Sequence, residues 1–243
     1  MFTYQGKTAL ITGGSGGIGL ATAKLFASEG AKIALADINQ QGLDKAAKEL
    51  EGANVWTKQC DVSKEDQVAA TVTGAIEHLG SVDVIVNNAG LMIFKKIEEQ
   101  TGDDWLRILS VDLLGAFFFI KHAFLNMKNG GSIVNVSSVH AIETTPMVAT
   151  YAAAKTALLS LTRSASLEGK PKGFRVNAVL PGAVDTPMLW DNPNVKAGIE
   201  VIDPNAVGKP EDIAAAIAFL ASDEAKFVNG AMLLADGGRL DRL

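Results

Sequence analysis

The sequence lacks the features that mark several common classes of protein. It contains a single cysteine, Cys60, so an internal disulfide is excluded, and its three histidines do not have the spacing of metal ligands. Acidic residues outnumber lysine and arginine, giving a net charge of -5, and no basic cluster is present that would bind a phosphate backbone. We therefore expect neither a metal site nor a nucleic-acid partner.

Long apolar runs are also missing. The longest one, residues 113–120, is far shorter than the ~20 residues that cross a bilayer. The amino-terminal residues do not show the basic and apolar segments of a secretory signal. We expect a soluble, cytoplasmic protein with no membrane partner, and 243 residues with 48% hydrophobic content suit a single domain over 1–243.

Short apolar runs alternate with longer stretches of helical periodicity. This alternation is typical of repeated strand–helix units that form a parallel sheet. Strands are predicted at 7–12, 32–36, 55–59, 82–87, 132–136, 175–179 and 232–234. Helices are predicted at 17–28, 41–50, 64–78, 103–127, 151–167 and 210–220. The sequence thus predicts an α/β fold, a doubly wound parallel sheet of about seven strands with helices on both faces.

Residues 187–208 form a long stretch without clear periodicity, and two prolines interrupt it. Loops of this length in a compact domain usually cover a binding site. The alternative is a disordered insertion, but Met188, Leu189 and Trp190 give this segment apolar side chains to bury. We expect a substrate lid at 187–208.

A glycine-rich turn, Thr12-Gly13-Gly14-Ser15-Gly16-Gly17-Ile18-Gly19, follows the first predicted strand and opens the first predicted helix. Glycines let the backbone approach a pyrophosphate, and the free amides and dipole of the helix start stabilise its charge. The letters fit two registers, Gly14-x-Gly16-x-x-Gly19 and Gly13-x-x-x-Gly17-x-Gly19, and spacing does not choose between them. Both predict a dinucleotide site.

Asp37 ends the second predicted strand, where a carboxylate can accept both ribose hydroxyls of an adenosine half. No lysine or arginine beside it or in the glycine turn would offset the charge of a 2′-phosphate. The alternative is a solvated carboxylate at a strand end. The neighbouring glycine turn favours the ribose role, and therefore NAD over NADP.

Tyr151 and Lys155 stand four residues apart, and Ser138 precedes Tyr151 by thirteen. Four residues are close to one helical turn, so the two side chains share a helix face, where an ammonium lowers the cost of ionising a phenol. The plain structural alternatives are a surface helix pair and a turn at a strand end. The spacing of the three residues relative to the glycine turn predicts instead an acid/base for oxidising alcohols.

These motifs resemble those of the classical short-chain dehydrogenase/reductase family, and the resemblance runs nearly end to end. The matching segments, in the order of the family, are Gly13-x-x-x-Gly17-x-Gly19, Asp61-Val62, Asn87-Asn88-Ala89-Gly90, the set Ser138, Tyr151 and Lys155, Pro181-Gly182-x-x-x-Thr186, Asn229-Gly230, and Asp236-Gly237-Gly238. The resemblance implies a Rossmann-like fold, a nicotinamide cofactor and the Gly13, Gly17, Gly19 register.

The resemblance also implies roles for individual residues. Tyr151 would be the acid/base, Ser138 would hydrogen-bond the substrate oxygen, and Lys155 would hold the nicotinamide ribose while lowering the pKa of Tyr151. Asp61 would lie at the adenine, and Val184 and Thr186 at the nicotinamide amide. The implied cofactor-binding set is Gly13, Ser15, Gly17, Ile18, Gly19, Asp37, Asp61, Val62, Asn88, Gly90, Tyr151, Lys155, Pro181, Val184 and Thr186.

Asp112 departs from the family pattern, which usually has asparagine at this place in a Val-Asn-Leu-x-Gly stretch. In the family this position supports a water relay to the lysine, partly through its backbone carbonyl, which aspartate also provides. An ionised Asp112 accepts but does not donate hydrogen bonds, and its charge raises the pKa of both Lys155 and Tyr151. We include Asp112 in the expected catalytic set with Ser138, Tyr151 and Lys155.

Substrate selection is expected from residues that flank the nicotinamide, most of them apolar. The expected substrate residues are Phe94, His140, Glu143, Met188 and Trp190. An apolar wall suits a ketone or secondary alcohol with hydrocarbon bulk better than a free sugar. His140 and Glu143 can hydrogen-bond a second polar group on the substrate, or they are simply loop residues at the rim.

The expected function is NAD(H)-dependent hydride transfer between nicotinamide and a small-molecule secondary alcohol or ketone. One alternative is an NADPH-dependent 3-oxoacyl thioester reductase, which Asp37 disfavours. Another is a non-catalytic NAD-binding sensor subunit, which has no need of Ser138, Tyr151 and Lys155 together. By resemblance the protein would be a homotetramer or homodimer built through helices 103–127 and 151–167, although the apolar run 113–120 would look the same in a monomer core.

Overall fold

Strands and helices alternate along the chain, as the apolar periodicity predicts. The computed structural model describes residues 3–128, 130–198, 201–203, 206–238 and 240. The strands are β1 (Thr8–Thr12), β2 (Lys32–Asp37), β3 (Val55–Gln59), β4 (Val84–Asn87), β5 (Gly131–Val136), β6 (Phe174–Pro181) and β7 (Met232–Ala235). The α-helices are α1 (Gly17–Ser28), α2 (Gln40–Glu49), α3 (Glu65–Leu79), α4 (Gly102–Leu109), α5 (Gly115–Asn126), α6 (Ala149–Gly169), α7 (Pro187–Trp190), α8 (Pro193–Lys196) and α9 (Pro210–Ala221).

The strands form one parallel sheet in the order β3-β2-β1-β4-β5-β6-β7. The winding direction reverses between β1 and β4, because the chain first builds outward to β3 and then returns to the other side of β1. Ligands of such sheets bind at the carboxyl ends of the strands beside this reversal. The predicted doubly wound, Rossmann-like sheet of about seven strands is confirmed.

Each face of the sheet carries its own apolar core. Ile11 and Leu35 pack with residues of α1, α2 and α9 on one face. Their sequence neighbours Leu10 and Ala34 pack with residues of α3 and α5 on the other face. Because strands covered on both faces bury every side chain, they appear in the sequence as short unbroken apolar runs.

The beginning and the end of the chain are joined by contacts around α1 and α9, which pack against each other. Tyr4, just before β1, is fully buried, and its ring meets Phe26 of α1 edge-on at a centroid distance of 4.5 Å. The Tyr4 hydroxyl donates a hydrogen bond to the carbonyl of Ala218 in α9. Burial raises the pKa of this phenol well above its ordinary value.

The helix predicted at 103–127 is present as a continuous helical stretch from Gly102 to Asn126, but its winding changes partway along. α4 begins in a capping box, in which the Asp104 carboxylate accepts the Thr101 amide at 2.8 Å and the Thr101 hydroxyl accepts the Asp104 amide at 3.2 Å. A π-helical turn, Ser110–Leu114, then separates α4 from α5. Such turns insert one residue into a helix and are frequent at functional sites. This π turn carries Asp112.

The stretch from Gly102 to Asn126 is also long and apolar enough to cross a membrane, judged by length and composition alone. Core helices of globular domains satisfy the same test. In this fold Phe119, Ile120 and Ala123 are buried in the core between α5 and the sheet. Packing within the domain therefore accounts for part of the apolar composition of this helix.

The segment predicted as a lid contains the short helices α7 and α8. Its residues 199, 200, 204 and 205 lie outside the described residues. The buried side chain of Asn192 accepts the Asn194 amide at 2.9 Å, and Asn194 Nδ2 donates to the carbonyl of Pro146 at 3.1 Å. These bonds attach α8 to the loop that precedes α6.

Candidate active site

A cleft of about 400 Å³ opens at the carboxyl ends of the strands, beside the reversal between β1 and β4. It brings together the glycine turn, the ends of β2, β4, β5 and β6, the start of α6 and part of α7. Predicted residues that line it are Gly13, Ser15, Gly17, Ile18, Asp37, Asn88, Gly90, Ser138, His140, Tyr151, Lys155, Pro181, Val184, Thr186 and Met188.

The backbone of the glycine turn is tightly packed. The positions that most require glycine, through a positive φ or a short contact, are Gly13, Gly17 and Gly19. Gly13 and Gly17 have φ of +62° and +51°, in the left-handed region that favours glycine. A Cβ atom on Gly19 would lie 2.2 Å from the Gly13 carbonyl oxygen. Gly19 is therefore required for the packing of the turn itself, although it does not line the cleft. By contrast, a Cβ atom on Gly16 would meet nothing within 4 Å.

The Thr12 hydroxyl connects the glycine turn to the segment after β4. It accepts hydrogen bonds from the amides of Asn88 and Ala89, both at 2.9 Å. The Asn88 side-chain amide donates back to the carbonyls of Thr12 and Gly13 at 3.0 and 3.2 Å. These four bonds fix the floor of the cleft at the point where β1 and β4 separate.

Asp37 stands at the end of β2 beside the glycine turn. Its carboxylate accepts the Ser15 amide at 3.1 Å and the Asn39 amide at 2.9 Å. Among the described residues that line the cleft, Lys155 is the only lysine or arginine, and it belongs to the opposite, catalytic side. A glycine cradle followed by a carboxylate fits the pyrophosphate and the free ribose hydroxyls of a dinucleotide.

Ser138, Tyr151 and Lys155 meet on the other side of the cleft. Tyr151 lies in the first turn of α6, and Lys155 Nζ is 5.4 Å from the centroid of its ring. The same ammonium donates to the Val136 carbonyl at the end of β5 at 3.0 Å. Ser138 lies two residues beyond the end of β5, is close enough to the phenol to lower the pKa of Tyr151, and accepts the His140 amide at 3.2 Å. The three predicted side chains therefore form one contiguous group.

The pKa of Tyr151 is raised in the protein alone. Burial has the largest effect and raises it, the Lys155 charge and the Ser138 hydrogen bond lower it, and the Asp112 charge raises it. The ammonium lowers the pKa of Tyr151, as predicted, but burial of the phenolate raises that pKa by more. Further positive charge is needed to bring the pKa down.

Asp112 lies behind the main cleft, beneath Lys155, and does not line the cleft. Gly19, Asp61, Val62, Phe94, Glu143 and Trp190 are likewise predicted site residues that do not line it. Glu143 is exposed, and Trp190 is 42% exposed, with its indole nitrogen donating to Asp185 at 2.7 Å. The side chains predicted for substrate binding are thus only partly brought together.

Several residues of the cleft wall are absent from the predicted sets. Ala89, Val139 and Ala183 adjoin predicted residues, so the sequence could have suggested them as flanking positions. Asn192 lines the cleft from the N-cap of α8, and a buried asparagine in an aperiodic segment has no local sequence signal. The described residues contain no group of three or more His, Cys, Asp or Glu side chains placed to hold a metal ion.

Comparison with known proteins gives matches over almost the entire chain. A family model described as enoyl-(acyl carrier protein) reductase matches residues 13–239. Cis-4-hydroxycyclohexanecarboxylate dehydrogenase of Sinomonas cyclohexanicum is 41% identical over 243 residues, covering 97% of each chain. 3beta-hydroxysteroid dehydrogenase 1 of Eggerthella lenta is 39% identical over 244 residues, covering 96% of this chain and 94% of the relative.

Among solved structures, levodione reductase is similar over 100% of both chains, with a TM-score of 0.91 and 36% identity. The similarity therefore extends over the whole fold rather than the dinucleotide half alone. The chain is an NAD(P)-dependent alcohol dehydrogenase or ketone reductase, and it belongs to the classical short-chain dehydrogenase/reductase family.

Proposed function

We propose that this protein transfers hydride between NAD(H) and a secondary alcohol or ketone with a partly apolar body. The observation that carries the proposal is the arrangement of the cleft, which has Asp37 and the glycine turn on one side and Ser138, Tyr151 and Lys155 on the other. A dinucleotide bound along this cleft would have its nicotinamide beside the phenol.

The choice of NAD depends on Asp37. The glycine turn and the start of α1 would hold the pyrophosphate, and the Asp37 carboxylate would accept the ribose hydroxyls. A 2′-phosphate at that place would repel the carboxylate, and the described cleft wall offers no lysine or arginine next to Asp37 to compensate. The nicotinamide amide would lie against Val184 and Thr186, which line the cleft at the end of β6.

The bound nicotinamide would supply hydride to the carbonyl carbon or remove it from the alcohol. In reduction the Tyr151 hydroxyl would donate its proton to the carbonyl oxygen as the carbon–hydrogen bond forms. In oxidation the Tyr151 phenolate would take the hydroxyl proton as hydride leaves the carbon. Ser138 would hydrogen-bond the same oxygen, and the Lys155 charge together with oxidised nicotinamide would offset the effect of burial on the pKa of Tyr151.

The substrate wall favours an apolar body carrying one reacting oxygen. Met92, Met188 and Leu189 line the cleft, while His140 and Asn192 add polar groups. By name, the two relatives act on a hydroxysteroid and on a hydroxycyclohexanecarboxylate, and both names describe an alcohol on a carbon ring. We extend this preference to the present protein and assign the lid role to 187–208.

We also propose a homotetramer or homodimer in the cytoplasm. Leu106, Leu114, Phe117 and Leu125 on α4, the π turn and α5 are apolar and between 39% and 67% exposed in the single chain. A second copy of the chain would cover them. Sedimentation equilibrium of the wild type would test this, and a monomer at micromolar concentration would reject it.

The enzymatic proposal is tested by following reduced nicotinamide at its near-ultraviolet band with a panel of cyclic and acyclic ketones and alcohols. We expect turnover of ring substrates, preference for NAD over NADP, and loss of turnover in Tyr151→Phe. Preference for NADPH with 3-oxoacyl thioesters would favour the acyl reductase alternative. Cofactor binding without turnover across the panel would favour a sensor.

A further inference from the structure

Asp112 places a buried carboxyl group directly behind the catalytic group. The residue is 2% exposed, and its Oδ2 atom lies 3.3 Å from Lys155 Nζ. Its Oδ1 atom accepts the amide of Leu91 at 3.0 Å. A Cβ atom on Gly90 would lie 2.9 Å from Oδ2 and 3.3 Å from Lys155 Nζ, so the ion pair is packed tightly under the turn after β4.

The two carboxyl oxygens of Asp112 differ in their partners, because only Oδ1 accepts a backbone hydrogen bond. Oδ2 has no aligned hydrogen-bond donor among the described residues, and the same is true of Asn87 Oδ1. Both residues line a small internal cavity with about 10 Å³ available to the centre of a water molecule, roughly the space that one water requires. A water there could donate to both oxygens, whereas an acceptor such as Asn87 Oδ1 cannot donate to Asp112.

The charged and titratable groups around the phenol are few. Lys155 lies on the same helix, Asp112 lies in the π turn, and the His140 ring approaches Tyr151 edge-on at a centroid distance of 5.9 Å. Asp112 is the acidic group in this set; burial raises the pKa of its carboxyl group, whereas the Lys155 charge and the Leu91 amide lower it. Ionised Asp112 partly cancels the ammonium that would otherwise stabilise a phenolate most strongly.

We propose that ionised Asp112 is a positioning residue that anchors the Lys155 ammonium and, through it, keeps Tyr151 protonated to higher pH than an uncharged side chain at this place would. This inference rests on the proposed function for its consequence: the enzyme is tuned toward ketone reduction near neutral pH, and alcohol oxidation rises only at higher pH. In the same direction, the Asp112 charge raises the pKa of Tyr151 and of Lys155.

Asp112→Asn removes the charge and keeps the shape of the side chain. Asp103→Asn is the matched control, because Asp103 lies on the adjoining α4 and is exposed. The first readout needs neither substrate nor cofactor: carbon-13 NMR of protein labelled at the tyrosine ring carbon that bears the hydroxyl. The chain has only two tyrosines, so Tyr151→Phe assigns both signals.

We expect Asp112→Asn to lower the ionisation midpoint of Tyr151 by about one to two pH units, as removal of a nearby like charge does. Asp103→Asn should leave the midpoint unchanged. In the kinetic readout, the pH midpoint of kcat/KM for alcohol oxidation should fall with the NMR midpoint. A Tyr151 midpoint in Asp112→Asn that equals or exceeds the wild-type value would overturn the proposal.

Two further measurements apply if Asp112→Asn folds poorly or if no substrate is found. Infrared spectra of the wild type at neutral pH should lack the C=O stretch of a buried protonated carboxyl, and its presence would contradict an ionised Asp112. Absence of turnover in the wild type would reject the proposed function, whereas the NMR midpoints would still decide the role of Asp112.

Discussion

One side of the cleft consists mainly of backbone atoms, and the other consists mainly of side chains. The dinucleotide side consists mainly of backbone fixed by short contacts among the glycine turn, Thr12 and Asn88. The catalytic and substrate side consists of side chains from β5, α6 and α7, and it ends in half-exposed residues such as Met188. The comparison indicates that cofactor geometry is set rigidly and locally, whereas substrate choice is left to side chains that can change without disturbing the fold.

Tyr151→Phe should have the largest effect, and it tests whether the two sides of the cleft act separately. We expect kcat to fall by at least about 10³-fold, because the general acid/base is lost while the ring remains. NAD affinity, measured by calorimetry, should change less than about threefold, since the dinucleotide side is untouched. Equal loss of cofactor binding would mean that the two sides are not separable.

Gly19→Ala tests the rigid side through the stability of the protein without cofactor. The new Cβ atom would lie 2.2 Å from the Gly13 carbonyl oxygen, and backbone there cannot move aside easily. We expect a loss of roughly 1–3 kcal/mol in the free energy of unfolding, measured by urea denaturation.

The matched control is Gly16→Ala, whose Cβ atom would meet nothing within 4 Å at an extended backbone position. It should cost less than about 1 kcal/mol, through weaker capping of α1. Equal destabilisation by both substitutions would contradict the view that crowding, rather than glycine content, determines the turn.

Asp37→Ala should weaken NAD more than NADP. Removal of the carboxylate takes away the acceptor for the ribose hydroxyls and the repulsion of a 2′-phosphate, so we expect KM for NAD to rise about tenfold, an apparent loss near 1.4 kcal/mol. The ratio of kcat/KM with NAD to kcat/KM with NADP should therefore fall. Asp44→Ala, which removes an exposed carboxylate from α2, serves as the control and should leave that ratio unchanged.

Met188→Ala should have the smallest effect. Its side chain lines the cleft but is 41% exposed, so we expect KM for an apolar ring substrate to rise about threefold to tenfold with kcat and NAD affinity nearly unchanged. Phe227→Ala removes a side chain that is 99% exposed and does not line the cleft, and it should leave all three constants as they are.

A larger share of the residues expected on the dinucleotide side than of those expected on the substrate side lines the cleft, and the reason is physical. The glycine turn, Asp37 and Asn88 follow strands whose apolar runs are visible in the sequence, and parallel strands bring their carboxyl ends together. The contribution of Asn192 depends instead on how α7 and α8 pack, which no local pattern encodes.

The sequence also could not show what depends on burial or on one inserted residue. Apolar periodicity continued from α4 into α5, so the π turn that carries Asp112 was not visible. The direction of the Lys155 effect on Tyr151 was predictable from charge alone, but the net pKa required the burial of the phenol in the folded chain.

The contact between Tyr4 and Ala218 has a consequence for how the protein is made. The first strand emerges from the ribosome long before α9, yet the hydroxyl beside that strand has its acceptor 214 positions later in the chain. During synthesis the early strand–helix units therefore lack the helix that covers α1. A nascent chain released before residue 218 would expose the apolar flank of α1 to chaperones and proteases.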